Sequence, residues 1–279
     1  MSFRVVMAQL GSTADKKENL SKARTAVAET VAGQRPDMMV FPEVFMNHFP
    51  AGTPRSIVRK EAESVDGPFV AEMCDLARQN GLWMVFGMRE STEDPEDDRV
   101  YNTTVMVDGA GAIASVYRKT HLYDAFGAKE SEHIKPGDEL FQPIGTPFGK
   151  IGVFVCYELR FPEIARHQTA LGADILIVPS GWVRGSMKEY HWQTLVTARA
   201  LENTVFMVAC DQVSDYYCGR SLVVDPMGVP LVSGPETEAL ITCDIHLERI
   251  SEVRSKLPSY QHRRPELYAD GVGRERTIR

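Results

Sequence analysis

The sequence has little of what membrane proteins and nucleic-acid-binding proteins need. No stretch of the chain reaches the roughly 18 consecutive apolar residues of a membrane-spanning helix, and the apolar stretch at the N-terminus is too short for a secretion signal. Acidic residues outnumber basic ones by 38 to 31, the formal net charge is -7, and no basic cluster is available to bind phosphates. We therefore expect a cytoplasmic protein that binds neither membranes nor nucleic acid.

Cysteine is also scarce, and the sequence signatures of a bound cofactor are missing. The cysteines are odd in number, widely scattered and without a Cys-x-x-Cys pair: Cys74, Cys156, Cys210, Cys218 and Cys243. This usage is typical of reduced thiols, and no histidine has zinc-ligand spacing with them. Neither a phosphate-binding glycine loop nor a dinucleotide fingerprint is found. The sequence thus predicts no disulfide, no metal and no cofactor.

What the chain does contain is a regular alternation of short apolar segments and amphipathic ones. Segments rich in Val, Ile and Phe predict strands at 3–10, 37–45, 82–90, 150–158, 173–182, 205–213 and 239–246. Amphipathic segments predict helices at 15–32, 68–80, 161–171 and 189–203. Most of the strands are too apolar to have one face in water, so both faces are expected to be buried. Residues 101–124 alternate around the turn "DGAG", which predicts an antiparallel hairpin and hence a mixed sheet.

Three residues that can take part in catalysis stand at the ends of predicted strands. Glu43 follows "DMMVFP", Lys119 follows "SVYR", and Cys156 follows "KIGVFV". Functional sites form at strand ends in α/β sheets. A desolvated Glu43 would have a raised pKa suited to a general base, and a buried Lys119 would lower the pKa of a nearby thiol and stabilise an oxyanion. The plain alternatives are a solvated carboxylate, a solvated edge lysine and a core cysteine.

In order and in flanking sequence, these three residues resemble the catalytic triad of the nitrilase, or carbon–nitrogen hydrolase, superfamily. The matching motifs are "FPEVF", "YRKTHLYD" and "VCYELRFPE", and the similarity runs from "VVMAQLGSTADKKENL" to "DIHLERISEVRSKLP". The resemblance implies an α/β fold, a four-layer αββα sandwich in which two mixed β-sheets pack face to face. It also implies one carbon–nitrogen hydrolase domain at 1–260, a C-terminal tail at 261–279 that we expect to be an inter-subunit arm, and a homodimer or larger homo-oligomer.

The resemblance further implies a role for each residue of the triad. Cys156 would be the nucleophile and Glu43 the general base, while Lys119 and the backbone N–H of Tyr157 would bind the oxyanion. Such an enzyme cleaves an amide carbon–nitrogen bond through a thioester acyl-enzyme, which water then hydrolyses. We therefore expect an amidase whose partners are a small amide substrate and water.

The family also has a second carboxylate about a dozen positions after the lysine. The Glu-Ser pair shortly before Pro-Gly-Asp favours Glu130 for this catalytic position, and Glu132 stays as the alternative.

Arg160 follows the expected nucleophile closely. We expect it to brace Glu158 or Glu163, with binding of a substrate carboxylate as the alternative.

Two longer blocks narrow the resemblance to one branch of the superfamily. "KTHLYDAFGAKES" and "SGWVRGSMKEYHWQTLVTARALEN" are similar to the branch that contains the amidases of deaminated glutathione and the ω-amidases. Arg184 suits a substrate carboxylate because a guanidinium binds that group through two parallel hydrogen bonds. The expected substrate-binding residues are Tyr123, Phe126, Trp182, Arg184 and His191, and Lys188 is left open between the pocket rim and the surface.

Deaminated glutathione is accordingly the favoured substrate among small carboxylate-bearing amides. The same Glu-Lys-Cys chemistry serves aliphatic amidases, ω-amidases, nitrilases and N-carbamoyl amino-acid hydrolases, and the motifs do not separate these activities. A catalytically inert scaffold that acts in protein interactions is the remaining alternative. A rate of reaction of Cys156 with iodoacetamide no higher than that of Cys74 or Cys218 would favour the scaffold.

Overall fold

The computed structural model describes residues 2–50, 52–94 and 96–268. The strands found there are β1 (Ser2–Gln9), β2 (Met38–Val40), β3 (Trp83–Glu90), β4 (Tyr101–Val107), β5 (Ile113–Arg118), β6 (Ile144–Thr146), β7 (Gly149–Val153), β8 (Ile175–Ser180), β9 (Phe206–Asp211), β10 (Leu222–Val224), β11 (Pro230–Ser233) and β12 (Ala239–His246). The helices are α1 (Lys16–Gly33), α2 (Arg55–Glu61), α3 (Pro68–Asn80), α4 (Pro162–Ala170), α5 (Lys188–Asn203) and α6 (Glu248–Lys256). The four predicted helices and the predicted hairpin, β4–β5, are confirmed.

The strands form two six-stranded sheets, ordered β12-β1-β2-β3-β4-β5 and β11-β10-β9-β8-β7-β6. In the first sheet β1, β2 and β3 run parallel, and antiparallel strands flank them on both sides. The second sheet repeats this arrangement with β7, β8 and β9 as its parallel centre. Both sheets are therefore mixed, as predicted.

The alternation of side chains along the strands places one sheet against the other. In β1, Val5 and Met7 belong to the core cluster that contains β7, β8 and β9. Val6 and Ala8 point to the other side and pack in a second cluster with α1 and α3. Trp192 of α5 packs on the second sheet in turn. Because successive side chains of a strand face opposite sides, this pattern produces the αββα sandwich.

The strands that lead to the candidate residues end earlier than the apolar runs do. β2 stops at Val40 and β7 at Val153, so the strands predicted there were too long. Beyond the strand ends, Val44 and Cys156 each have a φ of 47°, in the left-handed region that strands do not use. Glu43 and Cys156 therefore lie on sharply turning loops that leave the sheets.

The C-terminal tail is described only in its first part. After α6 the chain forms a short 3₁₀ turn at Pro265–Leu267. Residues 269–279, the larger part of the expected inter-subunit arm, lie outside the described residues, so the arm stays a prediction. Among the described helices, none combines the length and apolarity needed to cross a bilayer.

Candidate active site

Glu43 is held at the centre of the site by donors from three separate parts of the fold. Its carboxylate accepts hydrogen bonds from Lys119 Nζ at 2.9 Å and Asn102 Nδ2 at 2.7 Å. The other oxygen accepts from the backbone N–H of Gly181 at 2.7 Å. Asn102 lies in β4, Lys119 directly follows β5, and Gly181 directly follows β8. The side chain is only 5% exposed, so these contacts fix its orientation within the protein.

Lys119 lies between two carboxylates, and the second of them is Glu130. The lysine is 2% exposed, and its Nζ donates to Glu130 Oε2 at 2.8 Å and to Oε1 at 3.1 Å. Glu130 also accepts the backbone N–H of Tyr123 at 2.6 Å. Glu132 instead faces Lys129 at 3.6 Å on the surface. The structure thus brings Glu130, and not Glu132, to the lysine.

Cys156 opens the 3₁₀ turn that follows β7, and its thiol faces Glu43. The thiol lies close enough to the Glu43 carboxylate to help lower the pKa of that group, and the nearby backbone N–H of Gly181 acts to lower the pKa of the thiol. The residue is 8% exposed and has the strained φ described above. A non-glycine residue in that conformation costs free energy, and such strain concentrates at functional sites. The three residues of the predicted triad therefore meet in one place.

The charges of this cluster differ in part from the sequence-based expectation. Burial raises the pKa of Glu43, but the charge and hydrogen bond of Lys119 outweigh it, and the pKa lies below its ordinary value. Desolvation alone had led us to expect a raised pKa, which was wrong because the lysine lies in direct contact. Burial lowers the pKa of Lys119, but Glu130 and Glu43 hold it well above its usual range.

The thiol, in contrast, is kept protonated. Burial and then the charge of Glu43 raise the pKa of Cys156 well above the ordinary value, and the opposing effect of Lys119 does not reverse this. We expected Lys119 to lower the pKa of the thiol. Its charge does act in that direction, but the combined effect of burial and Glu43 is larger, so the expected net lowering was wrong. The resting site therefore combines a neutral thiol, a carboxylate and an ammonium group, and the carboxylate is placed to accept the thiol proton.

A cavity of about 1140 Å³ opens above Cys156 and is lined by most of the predicted substrate-binding residues. Tyr123, Phe126, Trp182 and Arg184 line it, together with Tyr157, whose backbone N–H is the expected second oxyanion donor. His191 is not among the lining residues. A cavity of this size holds a substrate as large as a short peptide.

Arg184 lines the cavity but is already engaged within the protein. Its Nε donates to the backbone carbonyls of Ser214 at 3.0 Å and Tyr217 at 2.8 Å. Its Nη1 lies 3.8 Å from a carboxylate oxygen of Glu236. The guanidinium therefore ties the loop at 214–217 to the loop after β8 through its Nε, and its predicted contact with a substrate carboxylate stays a prediction.

Two other cations face the cavity with no carboxylate partner in the described chain. Lys188 Nζ lies 3.7 Å from the centroid of the Phe126 ring and donates to the hydroxyl of Tyr123 at 2.8 Å. Arg160 lies over the Trp182 ring at 4.8 Å, and its Nε is buried without a hydrogen-bond partner. Both residues occur in the motifs that predicted the site, but only the tertiary structure separates them from surface charges.

Among the described residues neither Glu158 nor Glu163, the two expected partners, forms an ion pair with Arg160, and Glu158 has a separate role. It is fully buried and accepts hydrogen bonds from the Tyr117 hydroxyl at 2.7 Å and from the backbone N–H and hydroxyl of Thr120 at 2.8 and 2.7 Å. Its second oxygen accepts the backbone N–H of Val155 at 2.7 Å. This one carboxylate joins the segment that carries the lysine to the segment that carries the thiol.

The geometry agrees with what comparison with known proteins finds. The family model named carbon–nitrogen hydrolase matches residues 4–255, which is most of the chain. The chain belongs to the carbon–nitrogen hydrolase family. As a member of it, the protein is a hydrolase that acts on amide carbon–nitrogen bonds, and its αββα sandwich is that of the nitrilase superfamily.

Individual relatives cover nearly the whole of this carbon–nitrogen hydrolase. It is 36% identical to the deaminated glutathione amidase of Homo sapiens, over 95% of this chain and 84% of the human protein. The structure of Saccharomyces cerevisiae Nit3, a member of branch 10 of the nitrilase superfamily, superposes with a TM-score of 0.82 at 31% identity, over 94% of this chain and 97% of Nit3. The C. elegans NitFhit protein superposes with a TM-score of 0.87 at 29% identity, over 96% of this chain and 66% of NitFhit, so this chain spans part of that longer protein.

Proposed function

We propose that the protein is a cysteine-dependent amidase that works through a thioester acyl-enzyme. The observation that carries the proposal is the buried cluster in which the Cys156 thiol faces Glu43 and Glu43 contacts Lys119. The Cys156 sulfur attacks the amide carbonyl carbon while Glu43 takes the thiol proton. The negative charge that develops on the carbonyl oxygen is stabilised by Lys119 and the backbone N–H of Tyr157.

Collapse of the tetrahedral intermediate breaks the carbon–nitrogen bond. The leaving nitrogen takes the proton from Glu43 and departs as an amine or ammonia, which leaves the acyl group on Cys156 as a thioester. Glu43 then deprotonates a water molecule, which attacks the thioester and releases the carboxylic acid and the thiol. Glu130 supports these steps because its charge keeps Lys119 protonated. Loss of one oxyanion donor is expected to raise the barrier by about 3 kcal/mol.

We infer that the substrate is a small amide that bears a carboxylate, and deaminated glutathione is the favoured member of this class. The name of the human relative supports it. Lys188 and Arg160 support it independently, because both cations face the cavity and neither has an anionic partner among the described residues. Charge-assisted hydrogen bonds to a carboxylate would satisfy both groups.

The test is the turnover of a substrate panel by the wild-type protein and by Cys156→Ala. The panel contains deaminated glutathione, α-ketoglutaramate, an aliphatic amide, a nitrile and an N-carbamoyl amino acid. Release of ammonia, 2-oxo acid or cysteinylglycine is measured. Cys74→Ala is the matched control, because Cys74 is half-buried elsewhere in the fold. Turnover of deaminated glutathione that is lost only in Cys156→Ala is the expected result.

Other outcomes contradict the proposal at separate points. A preference for the aliphatic amide or the nitrile would keep the mechanism and overturn the substrate. Undiminished turnover by Cys156→Ala would overturn the nucleophile. An absence of turnover, together with Cys156 alkylation by iodoacetamide no faster than that of Cys74, would favour the inert scaffold.

We also propose that the enzyme is a homodimer. Four exposed apolar side chains support an interface beside α5: Leu201, Met227, Val229 and Leu231 are each more than two fifths exposed. Gly228 in the turn between β10 and β11 lies against Leu201, which places this turn beside α5. Light scattering at micromolar concentration is expected to give twice the mass of one chain, and a monomer would contradict the proposal.

A further inference from the structure

Arg89 is a cation in the cavity that the proposed mechanism does not use. It lies near the end of β3 and lines the cavity on the same wall as His48 and Phe49. Its Nε is buried and has no hydrogen-bond partner. The next residue of the strand, Glu90, pairs with Arg118 instead. Within the part of the chain that the structure describes, no carboxylate forms an ion pair with Arg89.

The groups around Arg89 do not neutralise it. His48 has its pKa lowered to about 4, by burial and then by the charge of Arg89, so it is uncharged at neutral pH. The carboxylates close enough to interact with the guanidinium are Glu130 and Glu43, and both are hydrogen-bonded to Lys119. Arg89 is half-buried, and withdrawing part of an unpaired charge from water is costly. An anionic ligand group would remove that cost.

Arg89 also differs in its surroundings from the cations already described. Lys188 and Arg160 lie over the rings of Phe126 and Trp182. The guanidinium of Arg89 lies 5.8 Å from the ring centroid of Phe49. The cavity thus has two separately built cationic regions. One substrate carboxylate can occupy only one of them.

We propose that Arg89 binds a carboxylate of the substrate at a subsite separate from Lys188 and Arg160. This inference rests on the proposed amidase function and deepens it, because it makes Arg89 a specificity residue for amides with two anionic groups. The planar guanidinium fork binds a carboxylate through two hydrogen bonds, which a lysine cannot reproduce. The expected substrate is therefore a dicarboxylate amide long enough to reach both regions.

The experiment compares Arg89→Gln and Arg89→Lys with the wild-type enzyme on matched substrates. These are deaminated glutathione, its analogue with the glycine carboxylate amidated, α-ketoglutaramate and a neutral aliphatic amide. For Arg89→Gln we expect KM to rise about 10- to 100-fold for the dicarboxylate, with kcat little changed. The neutral amide is expected to keep its kcat/KM, and Arg89→Lys to recover part of the loss. Arg78→Gln, which removes a surface arginine of α3, is the control.

Several results would overturn the assignment. An equal fall of kcat on every substrate, the neutral amide included, would mean that Arg89 acts on Glu43 or Glu130 rather than on a substrate. An unchanged KM for the dicarboxylate would remove the subsite while leaving the amidase intact. Titration calorimetry with 2-oxoglutarate and with glutarate measures binding at the subsite without turnover. If wild type and Arg89→Gln bind each of these ligands with equal affinity, the assignment of Arg89 is also contradicted.

Thermal unfolding of wild type and Arg89→Gln shows whether a change in KM arises from a folding defect. Because Arg89→Gln removes an unpaired charge whose Nε is buried, its Tm is expected to equal or exceed that of the wild type. Failure of the wild-type enzyme to hydrolyse any amide would refute the proposed function, whereas the calorimetric result would still decide whether Arg89 binds a carboxylate.

Discussion

Replacement of Glu158 by glutamine tests whether one buried carboxylate holds the two halves of the site together. The carboxylate accepts four hydrogen bonds of 2.7 to 2.8 Å, from Tyr117, Thr120 and Val155. Glutamine has nearly the same shape, but its amide group removes the charge and turns a donor toward one of the protein's own donors. A bond to a charged acceptor is worth about 1 kcal/mol more than a neutral one. After allowance for the saved cost of burying a charge, we expect a loss of about 2 to 4 kcal/mol of unfolding free energy.

The pH dependence of the difference in unfolding free energy between wild type and Glu158→Gln supplies an independent check. Burial raises the pKa of Glu158, but the nearby His121 side chain and the hydrogen bonds from Tyr117 and Thr120 outweigh it and lower the pKa below its ordinary value. The unfolded chain therefore binds this proton more readily, and the contribution of Glu158 is complete above the unfolded pKa of about 4.3. It is lost as the pH falls through the folded pKa. The gap between wild type and Glu158→Gln should thus narrow below about pH 4.

The assay is urea unfolding at pH 7 and at a series of acidic pH values, with Glu139→Gln as the control. Glu139 is exposed, so its replacement is expected to change the unfolding free energy by less than about 0.5 kcal/mol. We also expect kcat of Glu158→Gln to fall, because the segments that carry Lys119 and Cys156 lose their common anchor. A Glu158→Gln protein as stable as the control at pH 7 would refute the reasoning.

Two further predictions concern Glu43. Gly87→Ala would place a Cβ against the backbone nitrogen of Val44 and 2.8 Å from the carbonyl carbon of Glu43. We expect a loss of about 2 to 3 kcal/mol of unfolding free energy in urea and a lower kcat. Gly145→Ala, with open space around it, should change neither. Glu43→Gln removes the charge that raises the pKa of Cys156, so alkylation of Cys156 by iodoacetamide should shift to lower pH while turnover is lost. A shift to higher pH, or the same shift in Glu139→Gln, would contradict this account.

The position of the candidate catalytic residues was predicted from local sequence. Apolar runs predicted most of the buried strands, and Glu43 and Cys156 stand directly beyond such runs, whereas Lys119 follows the second strand of the alternating hairpin. The packing of two sheets face to face was implied by the family resemblance. Four of the six described helices were predicted within a residue or two at each end because their apolar stripes and terminal prolines and glycines act within a few residues, whereas α2 and α6 were not predicted. The ends of β2 and β7 were predicted beyond Val40 and Val153, because apolar residues that continue into a buried loop look the same in the sequence as apolar residues of a strand.

The protonation state and the binding residues were decided by contacts between distant parts of the chain. The pKa of Glu43 depends on Lys119, 76 residues away, and its orientation on Gly181, 138 residues away. Likewise, a sequence does not distinguish an arginine that binds its own loop, such as Arg184, from one with no partner, such as Arg89. By itself the sequence determined most strands, four helices and the hairpin, and its family resemblance implied the sandwich and the candidate nucleophile. Only the tertiary structure decided which charges neutralise one another and which remain for a substrate, because electrostatic interactions depend on distance in space and on exclusion of water.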